Sequence, residues 1–240
     1  MEWRDEGFIL GGRRHGETSL ILEVMTRAHG RHLGLVKGGR GKRMSALLQP
    51  GNQAEFVWRA RLDEHLGLFA VETTRLRAAA LMADPAALHA LNLIVALLRL
   101  TSERDPHPDL YEAACHLLDH LQERAVVPAL IVRFELAILA ELGFGLDLGS
   151  CAATGATEDL VYVSPKTGRA VSRVPGAPYA DRLLPLPAFL SEAAVGTPEP
   201  AAIRDGFALT GHFLTRDLFA PRGLALPQER RAYIEAVFRT

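Results

Sequence analysis

Ser19-Leu20-Ile21-Leu22-Glu23-Val24-Met25, then Ala28-His29-Gly30, then Leu33-Gly34-Leu35-Val36: this stretch decides how the first third of the chain folds. Leu20, Leu22 and Val24 alternate with Ile21, Glu23 and Met25, the period of a strand with two distinct faces. A turn at 28–30 leads into a second apolar run. Working outward, Phe8-Ile9-Leu10 supplies a strand before the hairpin, and Phe56-Val57-Trp58 and Leu66 to Val71 supply two after it. Five short strands in under 80 residues predict a small closed barrel. An OB-fold is the commonest five-stranded candidate, with an SH3-like barrel as the rival.

Gly38-Gly39-Arg40-Gly41-Lys42-Arg43 interrupts the strands. Three glycines in four residues predict a flexible loop rather than a regular element. It closes a basic stretch: Arg13, Arg14, Arg27, Arg31, Lys37, Arg40, Lys42 and Arg43 face only Glu17 and Glu23 between residues 13 and 43. The net charge of −1 hides this, because residues 1–80 carry +4, residues 81–150 carry −6 and residues 151–240 carry +1. A basic barrel beside an acidic segment predicts a polyanion partner on one side and protein contacts on the other. Lysine and arginine neutralise phosphates and release counterions, the sequence-independent part of nucleic-acid affinity. Phe8, Phe56, Trp58 and Phe69 have the chemistry to stack on bases, but in a small barrel they are expected to pack inward. The loop is not a nucleotide-hydrolysing P-loop: Gly41-Lys42 is followed by Arg43, and Val36 stands where that motif needs its first glycine.

Residues 84–144 predict helices. Asp84-Pro85 reads as an N-cap and first position, Asp109 with Glu112 as a capping pair, and Pro128 opens a helix that stops at Gly143. Leu88, Leu91, Val95 and Leu98 share one face, as do Leu130, Phe134 and Ile138. Residues 145–185 are dense in Gly, Pro, Ser and Thr, with strand-like pieces at 160–163 and 170–171, and predict a β-ribbon. Helix resumes near Thr197-Pro198, ends near Pro221, and returns from about Pro227 to Phe238. The fold class is α+β, with domains at 1–80 and 81–240 and the ribbon inserted at about 145–185.

Cys115 and Cys151 are the two cysteines, which excludes a disulfide scaffold. Met1 to Glu6 lacks the apolar run of a signal peptide, and no apolar stretch reaches membrane-spanning length, so a cytoplasmic location is expected. Glu112, His116 and His120 share a helix face, but one element alone seldom builds a metal site. His29 and His32 flank the turn and read as surface histidines. No G-x-S-x-G, no H-E-x-x-H and no acidic cluster in the basic region points to an enzyme.

Gly7-Phe8-Ile9-Leu10, Gly16-Glu17-Thr18-Ser19-Leu20, the Thr26 to Gly30 turn and Val36-Lys37-Gly38-Gly39-Arg40 together resemble the bacterial DNA repair family RecO. Arg133-Phe134-Glu135-Leu136, Leu142-Gly143-Phe144, Leu146-Asp147-Leu148, Cys151 and Tyr162-Val163-Ser164 with Thr167-Gly168 extend that resemblance along nearly the whole chain. It implies an N-terminal OB-fold and a helical second domain. It also implies binding of single- and double-stranded DNA, strand annealing, and action with RecR to load RecA on strands coated by the single-strand-binding protein SSB. By position it points to Arg13, Arg14, Lys37, Arg40, Lys42 and Arg43 as DNA contacts, and to no catalytic residue. Among C-terminal cations that could meet an acidic SSB tail stand Arg216, Arg222, Arg230 and Arg231. Many members carry two CxxC pairs for zinc. Here Cys151-Ala152-Ala153-Thr154 keeps one cysteine and Ser172-Arg173-Val174-Pro175 keeps none, so no metal is expected, and Tyr162 and Tyr179 are expected to brace the ribbon. The competing readings are a protein-only adaptor whose basic loop meets an acidic partner, and a nucleic-acid-processing enzyme.

Overall fold

In the computed structural model, which describes residues 1–190 and 196–239, the first strand is longer than its apolar run. Strand β1 covers Glu2–His15, and its polar first half pairs residue by residue with β4 (Gln53–Arg59), from Glu2 opposite Arg59 to Phe8 opposite Gln53. Cross-strand ion pairs explain why so polar a segment is a strand: Arg59 reaches Glu2 at 2.8 Å, and Arg4 grips Glu55 with both arms of its guanidinium.

Strand β2 (Ser19–Thr26) pairs with β1 on one edge and with β3 (Gly30–Val36) on the other, and β5 (Leu68–Arg75) lies between β3 and β4. The order β1-β2-β3-β5-β4 closes on itself, with β3 and β5 parallel where Leu35 meets Leu68. A short helix, α1 (Lys42–Leu47), connects β3 to β4. This closed five-stranded Greek-key path is the OB-fold expected, not the SH3-like rival. The alternation in β2 reads out directly. Leu22 and Val24 fill the barrel with Ile9, Val36, Ala54, Phe56, Trp58 and Phe69, while Ile21 and Met25 on the opposite face are buried too. Phe56, Trp58 and Phe69 are thus core, packed inward as expected for a small barrel. Phe8 is also buried, but it stacks on Tyr111 of a following helix at 5.7 Å. His32, read as a surface histidine, is 3% exposed and sits edge-on to Trp58 at 5.0 Å. His29 stacks on Trp3 at 4.2 Å and meets Asp5 at 3.0 Å.

The chain divides into two compact units, residues 1–122 with 231–240, and residues 123–230. The first unit runs past the barrel and takes in α2 (Ala78–Met82), α3 (Pro85–Leu98) and α4 (Pro108–His120). Asp84 caps α3 as expected, accepting from the Ala86 amide at 3.0 Å. The capping pair at Asp109 does not form: α4 already starts at Pro108, with His107 at the cap and Asp109 inside the first turn. There its carboxylate still meets the positive end of the helix dipole. In α3, Leu91, Val95 and Leu98 are buried, but so are Ala87, Ala90, Leu93, Ile94 and Leu97, so the helix is covered nearly all round. Glu112 pairs with Arg27 at 3.0 Å, and His116 and His120 lie ring to ring at 4.3 Å. Cys115 is half-buried, and burial pushes its thiol up.

The second unit holds α5 (Val127–Glu141) and a three-stranded sheet of β6 (Leu160–Val163), β7 (Ala170–Ser172) and β8 (Leu184–Pro185), with β6 in the centre. Helix α6 (Arg173–Gly176) follows β7 directly. Helix α7 (Pro200–Phe213) begins later than Thr197-Pro198 and passes into a wider π turn at 214–219; α8 (Gln228–Phe238) starts in this unit, and from Arg231 onward its residues belong to the first. Of the two tyrosines expected to brace the ribbon, Tyr162 packs over Gly176, whereas Tyr179 stands out into solvent. Among the described residues no helix is long and apolar enough to cross a membrane.

Candidate nucleic-acid interface

The β1–β2–β3 register gathers the basic residues of the sequence at one end of the barrel. Arg14 lies opposite Leu20, and Leu20 lies opposite Val36, which puts Arg13 and Arg14 at the end of β1 and Lys37, just past β3, at the same end of the sheet on either side of β2. The chain then turns sharply, Gly38 taking φ +68°, a value that glycine adopts without strain. The Gly39 amide donates to Val36 at 3.3 Å, and the Gly41 amide to Gly38 at 2.9 Å. The segment expected as one flexible loop is therefore a tight turn, and Lys42 and Arg43 already stand on α1.

All six expected DNA contacts, Arg13, Arg14, Lys37, Arg40, Lys42 and Arg43, are exposed. They do not all stand alike. The Arg40 guanidinium donates to the carbonyls of Gly16, at 2.9 Å, and Glu17, and the Arg40 amide donates to Thr18 at 3.0 Å. Arg40 therefore holds the β1–β2 turn while keeping a charge that no carboxylate neutralises. The side chains of Arg13, Arg14, Lys37, Lys42 and Arg43 make no hydrogen bond or ion pair among the described residues. Most other arginines of residues 1–80 meet acids: Arg4 on Glu55, Arg59 on Glu2, Arg27 on Glu112, Arg75 and Arg77 on Asp119, and Arg31 on Glu23, a carboxylate it shares with Arg99. The eight basic residues of 13–43 thus split into six at this end and Arg27 and Arg31 at the β2–β3 turn, where acids meet them.

A cleft of about 560 Å³ opens beside the cluster. Arg14, Arg40 and Arg99 stand over it, Gly11, Gly12 and Gly39 give it bare backbone, and Leu10, Leu20, Leu48 and Pro50 give it an apolar floor. No carboxylate lines it. Arg99, just past α3, was not singled out from sequence: it lies 56 positions beyond Arg43, and nothing local marks it. Among the described residues no exposed aromatic side chain lines the cleft, so this end of the barrel offers charge rather than stacking.

Two family models match the chain, "Recombination protein O N terminal" over residues 1–77 and "Recombination protein O C terminal" over residues 82–224. The chain belongs to the RecO family. A protein of Methylocella silvestris named "DNA repair protein RecO" is 65% identical, covering 98% of this chain and 95% of the relative. Proteins of the same name from Beijerinckia indica and Chelativorans sp. are 61% and 56% identical, each covering 100% of this chain and 96% of theirs. Membership in the RecO family assigns the chain to DNA repair and recombination.

The zinc that many RecO members hold between two CxxC pairs does not fit the donors present here. The positions do converge: Cys151 Sγ accepts from the Ser172 hydroxyl at 3.2 Å and the Ser172 amide at 3.3 Å, with Thr154 also bonded to it. One thiol, two neutral hydroxyls and Pro175 are not a zinc donor set. The Ser172 hydrogen bonds draw the Cys151 thiol down to about 6, against burial pulling the other way. Among the described residues no group of three or more His, Cys, Asp and Glu side chains is placed to hold a metal.

The C-terminal cations sort themselves as well. Arg230 is buried on Glu135 at 2.7 Å, Arg222 donates to the Leu218 carbonyl, and Arg216 is held by Asp217 and two backbone carbonyls. Arg231 is exposed and paired with Glu235 at 2.8 Å. Arg230 is thus withdrawn from any acidic partner.

Proposed function

We propose that this chain is a non-enzymatic DNA-binding recombination mediator that holds the phosphates of single- and double-stranded DNA on Arg13, Arg14, Lys37, Arg40, Lys42 and Arg43. The observation that carries the reading is the gathering of six exposed cations at one end of the barrel, none of them paired with an acid and five of them with no side-chain partner among the described residues. In a protein whose other barrel arginines are nearly all paired, uncompensated charge calls for an outside anion. Phosphate contacts that leave base edges free suit annealing, because they remove the repulsion between two strands without occupying the pairing faces.

Membership in the RecO family supports the rest of the reading. The chain acts with RecR to load RecA on strands covered by SSB, in the cytoplasm at the nucleoid. The barrel domain, 1–80, carries the DNA, and the helical domain, 81–240, carries the protein partners. Fluorescence anisotropy with labelled oligonucleotides and a strand-annealing assay test this together. The reading expects binding to both forms of DNA and faster annealing of complementary strands, without cleavage in Mg²⁺ or Mn²⁺. Absence of DNA affinity at low salt would leave the basic end to an acidic protein, and metal-dependent cleavage would make the chain an enzyme.

A further inference from the structure

We infer that the cleft beside the basic cluster is a seat for one phosphodiester of the bound strand, and that Arg99, from outside the barrel, lines it together with Arg14 and Arg40. The inference rests on the DNA-binding reading and names the place where the strand is gripped.

Three features make this a built seat rather than a gap. The first is how Arg99 is held. Its Nε and Nη2 both donate to Oε2 of Glu23, at 2.9 and 2.7 Å, while Oε1 of the same carboxylate takes Arg31 at 2.9 Å. Glu23 is thus shared by two guanidinium groups, one carboxylate for two cations, and the Arg99–Glu23–Arg31 group keeps a net positive charge. The Arg99 side chain remains about half exposed. The second is Gly11. A Cβ there would stand 3.0 Å from Arg99 Nη2, so the guanidinium reaches the cleft across bare backbone, a path any larger residue would crowd. The third is the contrast between rim and floor. Arginines stand at the rim while Leu10 and Leu48 at the floor are 2% and 4% exposed. Charge over an apolar floor strengthens each arginine–phosphate bond, because less water competes there. The volume falls within the range of small-molecule sites and suits one nucleotide unit rather than a duplex.

The test separates the seat from the reading beneath it. Anisotropy titrations with a fluorescent single strand compare wild type, Arg99→Gln, Ser45→Trp and Lys42→Ala/Arg43→Ala across a salt series. Arg99→Gln removes the cation and leaves Glu23 held by Arg31. Ser45→Trp fills the cleft from α1 without changing charge. The seat expects both to weaken binding about tenfold, with unchanged melting temperatures, and Arg99→Gln to lower the salt slope by about 0.7, one single-strand phosphate. If Lys42→Ala/Arg43→Ala weakens binding while Arg99→Gln and Ser45→Trp match wild type, DNA binding stands and the seat is overturned. If wild type itself fails to bind, the DNA-binding reading falls and the seat with it. Competition by inorganic phosphate or a mononucleotide as strong as by an oligonucleotide would make the cleft a small-anion site and overturn the assignment to a strand.

Discussion

The Arg40 guanidinium donates to the Gly16 carbonyl at 2.9 Å, so the turn after β3 holds the turn after β1. Arg40 therefore has two separable roles, charge and position. Both carbonyls, Gly16 and Glu17, are met by the one nitrogen Nη1, and Arg40→Lys keeps the charge on a shorter side chain whose ammonium stops short of that position. Positioning predicts that Arg40→Lys loses most of the DNA affinity lost by Arg40→Ala. Equal affinity of Arg40→Lys and wild type in the same titration would reduce Arg40 to a point charge.

Glu135 and Arg230 form a fully buried pair in the second unit. Arg230 Nε meets Oε1 at 2.7 Å, Nη2 also donates to the Phe207 carbonyl at 2.7 Å, and the Thr210 hydroxyl bonds to Glu135. Removing one charge strands the other away from water. Glu135→Ala is expected to cost about 3–5 kcal/mol in urea unfolding, and Glu135→Leu/Arg230→Met to regain much of it. A double variant as unstable as the single one would show that the pair is needed for more than mutual neutralisation.

His32 makes the barrel sensitive to acid. Burial pushes its pKa down to about 4, with the Arg104 and His29 charges adding to the effect and Asp63 and a bond to the Leu33 carbonyl opposing it. The unfolded chain takes up the imidazole proton near pH 6.5, which the folded barrel refuses until about pH 4. Stability is therefore complete above pH 6.5, falls as pH drops toward 4, and levels below it. The loss is on the order of 2 kcal/mol once solvent screening is allowed for. Urea midpoints at pH 7.5 and pH 5 should differ more for wild type than for His32→Phe; equal differences would remove His32 as the cause.

The hydrogen bonds on Cys151 stand where a metal would otherwise tie the ribbon together. Purified chain is expected to carry no stoichiometric zinc, and a strong chelator to leave its melting temperature unchanged. A chelator-induced drop, reversed by zinc, would contradict the donor-set argument.

Much of the barrel was legible because its signal is local. The alternation at 20–25, the turn at 28–30 and the inward aromatics each follow from a few adjacent residues. What escaped depends on partners distant in sequence. The polar half of β1 is a strand because Glu55 and Arg59 lie opposite it, and His32 is buried because Trp58 and Phe69 close over it. Helix α1 hid behind glycines that serve only the turn before it. Of the interface, the six cations were legible as a basic stretch, but their inequality was not: only three-dimensional register shows Arg40 bound to the β1–β2 turn and Arg27 and Arg31 each beside an acid. Arg99 left no local trace, because what selects it is the bare backbone of Gly11, 88 positions earlier.

The most direct test of the central claim is the salt dependence of single-strand affinity for wild type and for a variant with Arg13, Arg14, Lys37, Lys42 and Arg43 replaced by alanine. If these side chains hold phosphates, each releases counterions on binding, and the slope of log affinity against log salt should shrink by about 3.5, about 0.7 for each of the five. Circular dichroism should show both chains equally folded, since none of the five has a partner to lose. An unchanged slope in a folded variant would place the DNA elsewhere and contradict the account.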